Sequence, residues 1–199
     1  MANFTQKMKI PTLNQEIPII NKLNVQNERL MMEYENFKKL KPAEAWGGPV
    51  NGNFYLWKIS FYGPQNSDYE EGEFNVRIEI PKNFPDKGPS CYFEHEELYH
   101  PNVSQSDKKI CLGNYFNQKW NPSISINEVI MQIYNILKMP NFDDSYDKKI
   151  GETYKEDPDA YHQIVREYVR TFAPKKIKTF RKDHLFPLNK NKIDFKKFY

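Results

Sequence analysis

The 199 residues, 39% hydrophobic and 15% aromatic, suffice for one globular core with extensions at both ends. Two cysteines, Cys91 and Cys111, without extracellular-style spacing or a secretory leader, favour free thiols in a reducing, cytoplasmic or nuclear compartment over a structural disulfide; no apolar run spans a bilayer, because residues 17–23 are broken by Asn21 and Lys22. The net charge of +3 hides an asymmetry: residues 173–199 carry nine Lys or Arg against two Asp, residues 26–172 carry seventeen against twenty-three acidic residues, and no nucleic-acid motif accompanies the basic tail.

Taken in chain order, residues 1–25 hold two prolines and no clean apolar period, and read as an irregular N-terminal extension. Leu30, Met31, Tyr34 and Phe37 follow helical spacing ahead of Pro42, so the first helix is expected from about Asn27 to Leu40. Three segments then alternate apolar and polar residues, as strands with one buried face do. They are Tyr55-Trp57-Ile59-Phe61, Phe74-Val76-Ile78-Ile80 and Cys91-Phe93, separated by Gly63-Pro64 and the acidic stretch Asp68–Gly72. An antiparallel meander follows. A long polar segment, about residues 94–123, comes next; loops of that length inside a compact domain usually carry function.

Helical spacing returns at Ser125-Ile126-Asn127-Glu128, which has the form of a capping box, and continues through Val129, Ile130, Ile133 and Leu137 to Pro140. A short helix is expected between about Tyr146 and Glu156. Asp157-Pro158 then opens an amphipathic stripe of Tyr161, Ile164, Val165, Tyr168, Val169 and Phe172. The order helix, meander, long loop, helices is an α+β arrangement with segregated helices.

A reactive cysteine needs exposure, because the thiolate is the nucleophile and burial makes the thiol inert. Cys91 lies in a strand pattern and reads as packing, whereas Cys111 follows the polar loop between Ile110 and Leu112. Spacing alone leaves Cys111 open between nucleophile and core residue. A cysteine protease would pair it with a histidine, of which His100 is nearest, with His95 and His162 beyond, yet no signature surrounds the thiol. Metal-ligand spacing and a glycine-rich phosphate loop are both absent from the sequence.

Four motifs occur in one order: Tyr99-His100-Pro101-Asn102, Ile110-Cys111-Leu112, Trp120-Asn121-Pro122 and Pro140-Asn141-Phe142-Asp143-Asp144. With Gly48-Pro49, Trp57, Gly63-Pro64, Phe84-Pro85 and Pro89, they strongly resemble the ubiquitin-conjugating enzymes over about residues 26–172. The resemblance implies the UBC fold: an N-terminal helix, a four-stranded antiparallel meander, a long active-site loop and C-terminal helices, with residues 173–199 as a basic C-terminal extension. It implies Cys111 as the residue that takes ubiquitin, or a ubiquitin-like protein, as a thioester from an activating enzyme and passes it to a lysine or a ligase. Asn102 is implied as oxyanion or loop stabiliser and Asp144 as the acid that positions the incoming lysine, with Asp143 and Asp147 as nearby alternatives and Tyr146 as part of an apolar wall. No cofactor is implied, since ATP is used by the activating enzyme.

Ligase contact is implied at Phe84, Asp86, Asn121 and Pro122. There Asp86 stands where ligase-binding members often carry an aromatic residue, and Asn121-Pro122-Ser123 replaces the frequent Ser-Pro-Ala, so an altered ligase contact is expected. Gly113-Asn114-Tyr115-Phe116 likewise departs from the residues common after the cysteine. Trp46 falls on the face that many members use to bind a second ubiquitin. The extensions suggest a rival reading, a UBC-fold subunit of a larger assembly with weak or no transfer. The tail is expected to dock either on an acidic partner or on its own acidic body.

Overall fold

The structure, a computed structural model, describes residues 13–95, 98–112 and 120–175, with side chains described from residue 25 onward. Residues 1–12, Gly113–Phe116 and residues 176–199 therefore lie outside the described residues.

Helix α1 runs Leu13–Leu40, followed by strands β1 Trp46–Val50, β2 Asn53–Tyr62, β3 Glu73–Glu79 and β4 Ser90–Phe93, then α2 Ile126–Lys138, α3 Lys148–Glu156 and α4 Pro158–Phe172. The strands form one antiparallel sheet in the order β1-β2-β3-β4. Its register explains why the alternating sequences work. Trp57 faces Ile78, which faces Cys91; Ile59 faces Val76, which faces Phe93; and Phe61 faces Phe74. Paired residues share a face, so these rows make one apolar surface, and every member is at most 2% exposed. Burying a side chain of this size contributes about 2–3 kcal/mol.

Helices cover that surface. From α1, Tyr34 and Phe37 meet the Trp57 ring edge-on at 5.6 and 5.7 Å. Tyr34 also needs Gly48 in β1, since a Cβ there would lie 2.8 Å from its ring at a φ of +147°. From α2, Ile126, Val129, Ile130, Ile133 and Leu137 are all buried, and Ser125 and Glu128 form the expected capping box. Asp157 caps α4 at Ala160 N (2.9 Å) with Pro158 in its first turn.

Two expectations change. The irregular arm gives way to helix from Leu13, fourteen residues before Asn27. Pro18 falls in the second turn, so the hydrogen bond it removes lies at the start of the ladder, and Ile19–Leu40 contains neither Gly nor Pro to interrupt it. The fourth strand, β1, was implied by resemblance but not by alternation, because Gly47-Gly48-Pro49 has no apolar rhythm. Among the described residues, no helix is long and apolar enough to cross a membrane.

Candidate active site

His100 is fully buried, and its neighbours determine its proton. Its Nδ1 accepts from Asn102 N at 3.0 Å, which leaves Nε2 to donate to Ile136 O of α2 at 3.1 Å. Burial pulls its pKa down to about 4, against a smaller opposing effect of the Ile136 carbonyl, so the ring is neutral at physiological pH with both nitrogens engaged. It has no capacity left to activate a thiol. His95 accepts from Asn75 N and His162 pairs with Asp68, so none of the three histidines in the protease alternative is committed to Cys111.

Asn102, 3% exposed, is the staple of the region. Its Nδ2 donates to Asn141 O (2.7 Å) and Asp144 O (3.2 Å), while its Oδ1 accepts from Asn141 N (2.8 Å). Only this amide orientation matches two carbonyls and one N–H. Pro101 O adds bonds from Tyr146 N (2.7 Å) and Asp147 N (3.2 Å). Within the bound segment, Asn141 Oδ1 accepts from Asp143 N and Asp144 N, making a tight polar turn.

On its other side Asn102 holds the cysteine: Cys111 N donates to Asn102 O at 3.0 Å. Between the two, Val103 bridges Ile110, Ser104 N donates to Lys109 O, and Ile110 N donates to Cys91 O, so the polar loop closes on itself and rests on β4. Val103 and Ile110 are buried, and Cys111, held by its own backbone N–H, has a half-buried side chain. The interval from Asn102 to Cys111 is thus a closed loop whose two ends share a hydrogen bond. Cys91, by contrast, is 1% exposed, and burial pushes its thiol up to about 12.

The structure therefore brings Cys111, Asn102 and Asp144 into one hydrogen-bonded unit. Asp144 and Tyr146 are exposed, and their backbones are anchored through Asn102 and Pro101. Asp143 is exposed too, 3.7 Å from Lys155, a surface pair of small energetic weight. Asp147 instead serves α3, which its carboxylate caps at Lys149 N and Ile150 N.

Of the residues implied for ligase contact, Asp86, Asn121 and Pro122 are exposed. Phe84 is a correction. At 1% exposure it lies beneath Trp120, whose ring centroid is 6.1 Å away, and Arg29, whose guanidinium is 5.5 Å from the ring, so it supports the loop rather than meeting a partner. Trp120 fastens the two loops together by donating to Pro85 O at 2.6 Å and lying where a Cβ at Gly88 would sit.

Sequence reasoning missed Arg29 and Glu33. Glu33, 2% exposed, accepts from Arg29 Nε at 2.7 Å and from Ile126 N at 2.9 Å, so α1 supplies a carboxylate to the start of α2, where the helix dipole favours one. Arg29 also reaches Pro122 O and Ile124 O, each at 3.3 Å. The available signal was a carboxylate on the apolar row of α1, between Leu30 and Phe37.

A family model described as ubiquitin-conjugating enzyme matches residues 29–169. Among solved structures, the E2 domain of a Toxoplasma gondii ubiquitin conjugating enzyme is similar at 26% identity and a TM-score of 0.66, over 74% of this chain and 99% of that one. The match spans most of the chain, and the helix, the four-stranded antiparallel sheet and the C-terminal helices agree with it. The chain belongs to the ubiquitin-conjugating enzyme family.

Proposed function

We propose that Cys111 accepts ubiquitin or a ubiquitin-like protein as a thioester and passes it to an amine or a ligase cysteine. In loading, the Cys111 thiolate attacks the carbonyl carbon of the modifier's thioester on the activating enzyme; a new C–S bond forms, the old one breaks and the activating enzyme's thiolate leaves. In transfer, a neutral lysine amine attacks the carbonyl carbon of the Cys111 thioester, the carbonyl oxygen carries the developing negative charge, a C–N bond forms, the amine passes one proton to a nearby carboxylate or water, and the C–S bond breaks with Cys111 leaving as thiolate. The chain itself uses no cofactor, since ATP is consumed by the activating enzyme.

The observation that carries this reading is the contrast in accessibility: Cys111 is half-buried at the mouth of an anchored loop, and Cys91 is sealed in the sheet. Asn102 contributes by holding the 141–144 segment, because both hydrogens of its amide are already given to carbonyls. Asp144, exposed on that segment, accepts a hydrogen bond from the incoming amine, orients it toward the thioester and accepts the proton that the amine gives up on attack. Ligase binding uses the exposed Asp86, Asn121 and Pro122, supported from below by Phe84, Trp120 and Arg29.

The test is a charging assay with ubiquitin, its activating enzyme and ATP, resolved with and without thiol reductant. The expected result is one reductant-sensitive adduct that Cys111→Ala removes. An adduct that survives this substitution, or none with ubiquitin or any related modifier, overturns the reading.

A further inference from the structure

The chain does not leave the domain surface where α4 ends. Ala173 is 3% exposed, its carbonyl accepts from Glu73 N at 2.9 Å, and Lys175 N donates to Glu71 O at 3.0 Å, with Gly72 opposite Pro174 in an antiparallel bridge. A Cβ at position 72 would lie 2.5 Å from the Phe74 ring, so the bridge has glycine on that side for a steric reason. The bridge fixes the point from which the basic tail departs. There Lys175 Nζ sits 5.6 Å from the centre of the Tyr62 ring, and Tyr62 packs against Trp46 at 5.0 Å.

Both aromatic residues belong to the outer face of the sheet, away from the helices. Tyr62 follows buried Phe61 in β2, and Trp46 on edge strand β1 pairs with Ser60 of the same outer row. The cations of this face are already matched: Lys58 to Glu94 at 2.7 Å, and Arg77 to Glu79 and, at 4.3 Å, to the Tyr92 ring. The carboxylates at the departure point are not. Glu73 lies opposite Tyr62 in the register, and among the described residues neither Glu71 nor Glu73 has an ion-pair partner.

We propose that residues 176–199 fold back over this outer face, their aromatic residues on the Trp46–Tyr62 pair and their cations toward Glu71 and Glu73. The chain's own tail is then the occupant of this face. Three features favour this occupant. The tail carries Phe180, Phe186, Phe195 and Phe198 among its lysines, and it is strongly basic where residues 26–172 are net acidic. Its twenty-four residues reach up to about 80 Å extended, whereas four strands span only about 15 Å and a ten-residue strand about 33 Å. Tethered at Lys175, it competes at an effective concentration in the millimolar range, ahead of a free partner of equal affinity.

The full chain, at low salt, is treated with a zero-length carbodiimide cross-linker and mapped by mass spectrometry, using a mixture of isotopically light and heavy protein. Cross-links from tail lysines to Glu71, Glu73 or Glu79 within one molecule are expected. In parallel, tryptic cleavage after the tail lysines is expected to run about tenfold slower in the wild type than in the Trp46→Ser/Tyr62→Ser double variant, because cleavage tracks the undocked population. High salt should narrow the gap. Equal tail cleavage in both proteins, cross-links to another surface, or cross-links only between light and heavy molecules would overturn the proposal. If the double variant is also cut faster within residues 26–172, it is destabilised, and the wild-type cross-links decide alone. Neither readout involves the activating enzyme, so failure here is distinct from failure of the thioester reading.

Discussion

Behind the loop that joins β4 to α2, the molecule is dry; in front of it, the molecule is wet. Cys91 and His100 occupy the dry side, and burial displaces them in opposite directions, the thiol up to about 12 and the imidazole down to about 4, because both prefer the uncharged form there. Cys111, Asp144 and Tyr146 occupy the wet side. The two cysteines are nonetheless near neighbours in the fold, since Ile110 N, one residue before Cys111, bonds to Cys91 O. A single residue of chain thus separates an inert environment from an accessible one. Accessibility of the thiol is a property of position on the loop, and Asn102 is the seam between its two sides.

The largest effect expected is on the wet side. Cys111→Ala should abolish the reductant-sensitive adduct altogether, while thermal stability changes by less than about 0.5 kcal/mol, as at other partly exposed positions. If the variant still charges, the division between the two sides does not describe the chemistry.

On the dry side, the test is pH. The folded value of His100, about 4, lies below the unfolded value of about 6.5, so between these limits the unfolded chain binds the extra proton. Stability is full above pH 6.5 and is lost as pH falls toward 4, by about 3 kcal/mol at 1.36 kcal/mol per unit. The groups facing the ring, Asn102 N, Ile136 O and the Tyr69 ring at 5.5 Å, supply no carboxylate to accept the charge. Urea titrations at pH 7, 5.5 and 4 should show this slope in the wild type and a flatter one in His100→Gln. Parallel slopes would mean that the ring is wetter than its burial implies.

Much of this division was legible in the sequence, for reasons that also explain what was not. Alternation reported β2, β3 and β4 because each has one dry face, and Ser125–Glu128 and Asp157-Pro158 announced their helices because capping is local chemistry. β1 carries no such rhythm in Gly47-Gly48-Pro49; it forms because β2 offers it an edge and Tyr34 needs the space at Gly48. Glu33 and Arg29 act on residues more than ninety positions away, which no local pattern reports. The positions of Cys111, Asn102 and Asp144 were legible by resemblance, but the three hydrogen bonds that make Asn102 a staple became visible only once the 141–144 segment was folded against it. Phe84 was misjudged because a motif gives the location of a loop and not which of its side chains point inward.

The seam itself comes next in size. Asn102→Ala removes the donor for two carbonyls and the acceptor for Asn141 N, so the segment bearing Asp144 loses its anchor while Cys111 N keeps its backbone partner. Misplacing a positioning group by about 1 Å costs on the order of 100-fold in rate. Discharge of the adduct to free lysine, measured in single turnover, should fall by about that factor, and charging by only a few-fold. Equal losses in both steps would indicate that Asn102 supports the thiol rather than the segment opposite it.

The smallest effects come from exchanging one atom at each cysteine. Cys111→Ser puts a hydroxyl where water already has access, so stability should hold, and any adduct formed should resist reductant, because an oxygen ester has no sulfur for a thiol to release. Cys91→Ser puts the same hydroxyl among Ile78, Phe93 and their neighbours, 1% exposed, where an unpaired polar group costs about 1–3 kcal/mol. Cys91→Ala, which leaves only a sulfur-sized gap, should cost about 1 kcal/mol. Both Cys91 variants should charge normally below their melting temperatures. The same oxygen-for-sulfur exchange is therefore expected to change chemistry without stability on one side of the loop and stability without chemistry on the other. If Cys91→Ser matched Cys91→Ala in stability, the hydroxyl would have found a partner, and the interior behind the loop would be less dry than the pKa values of Cys91 and His100 require.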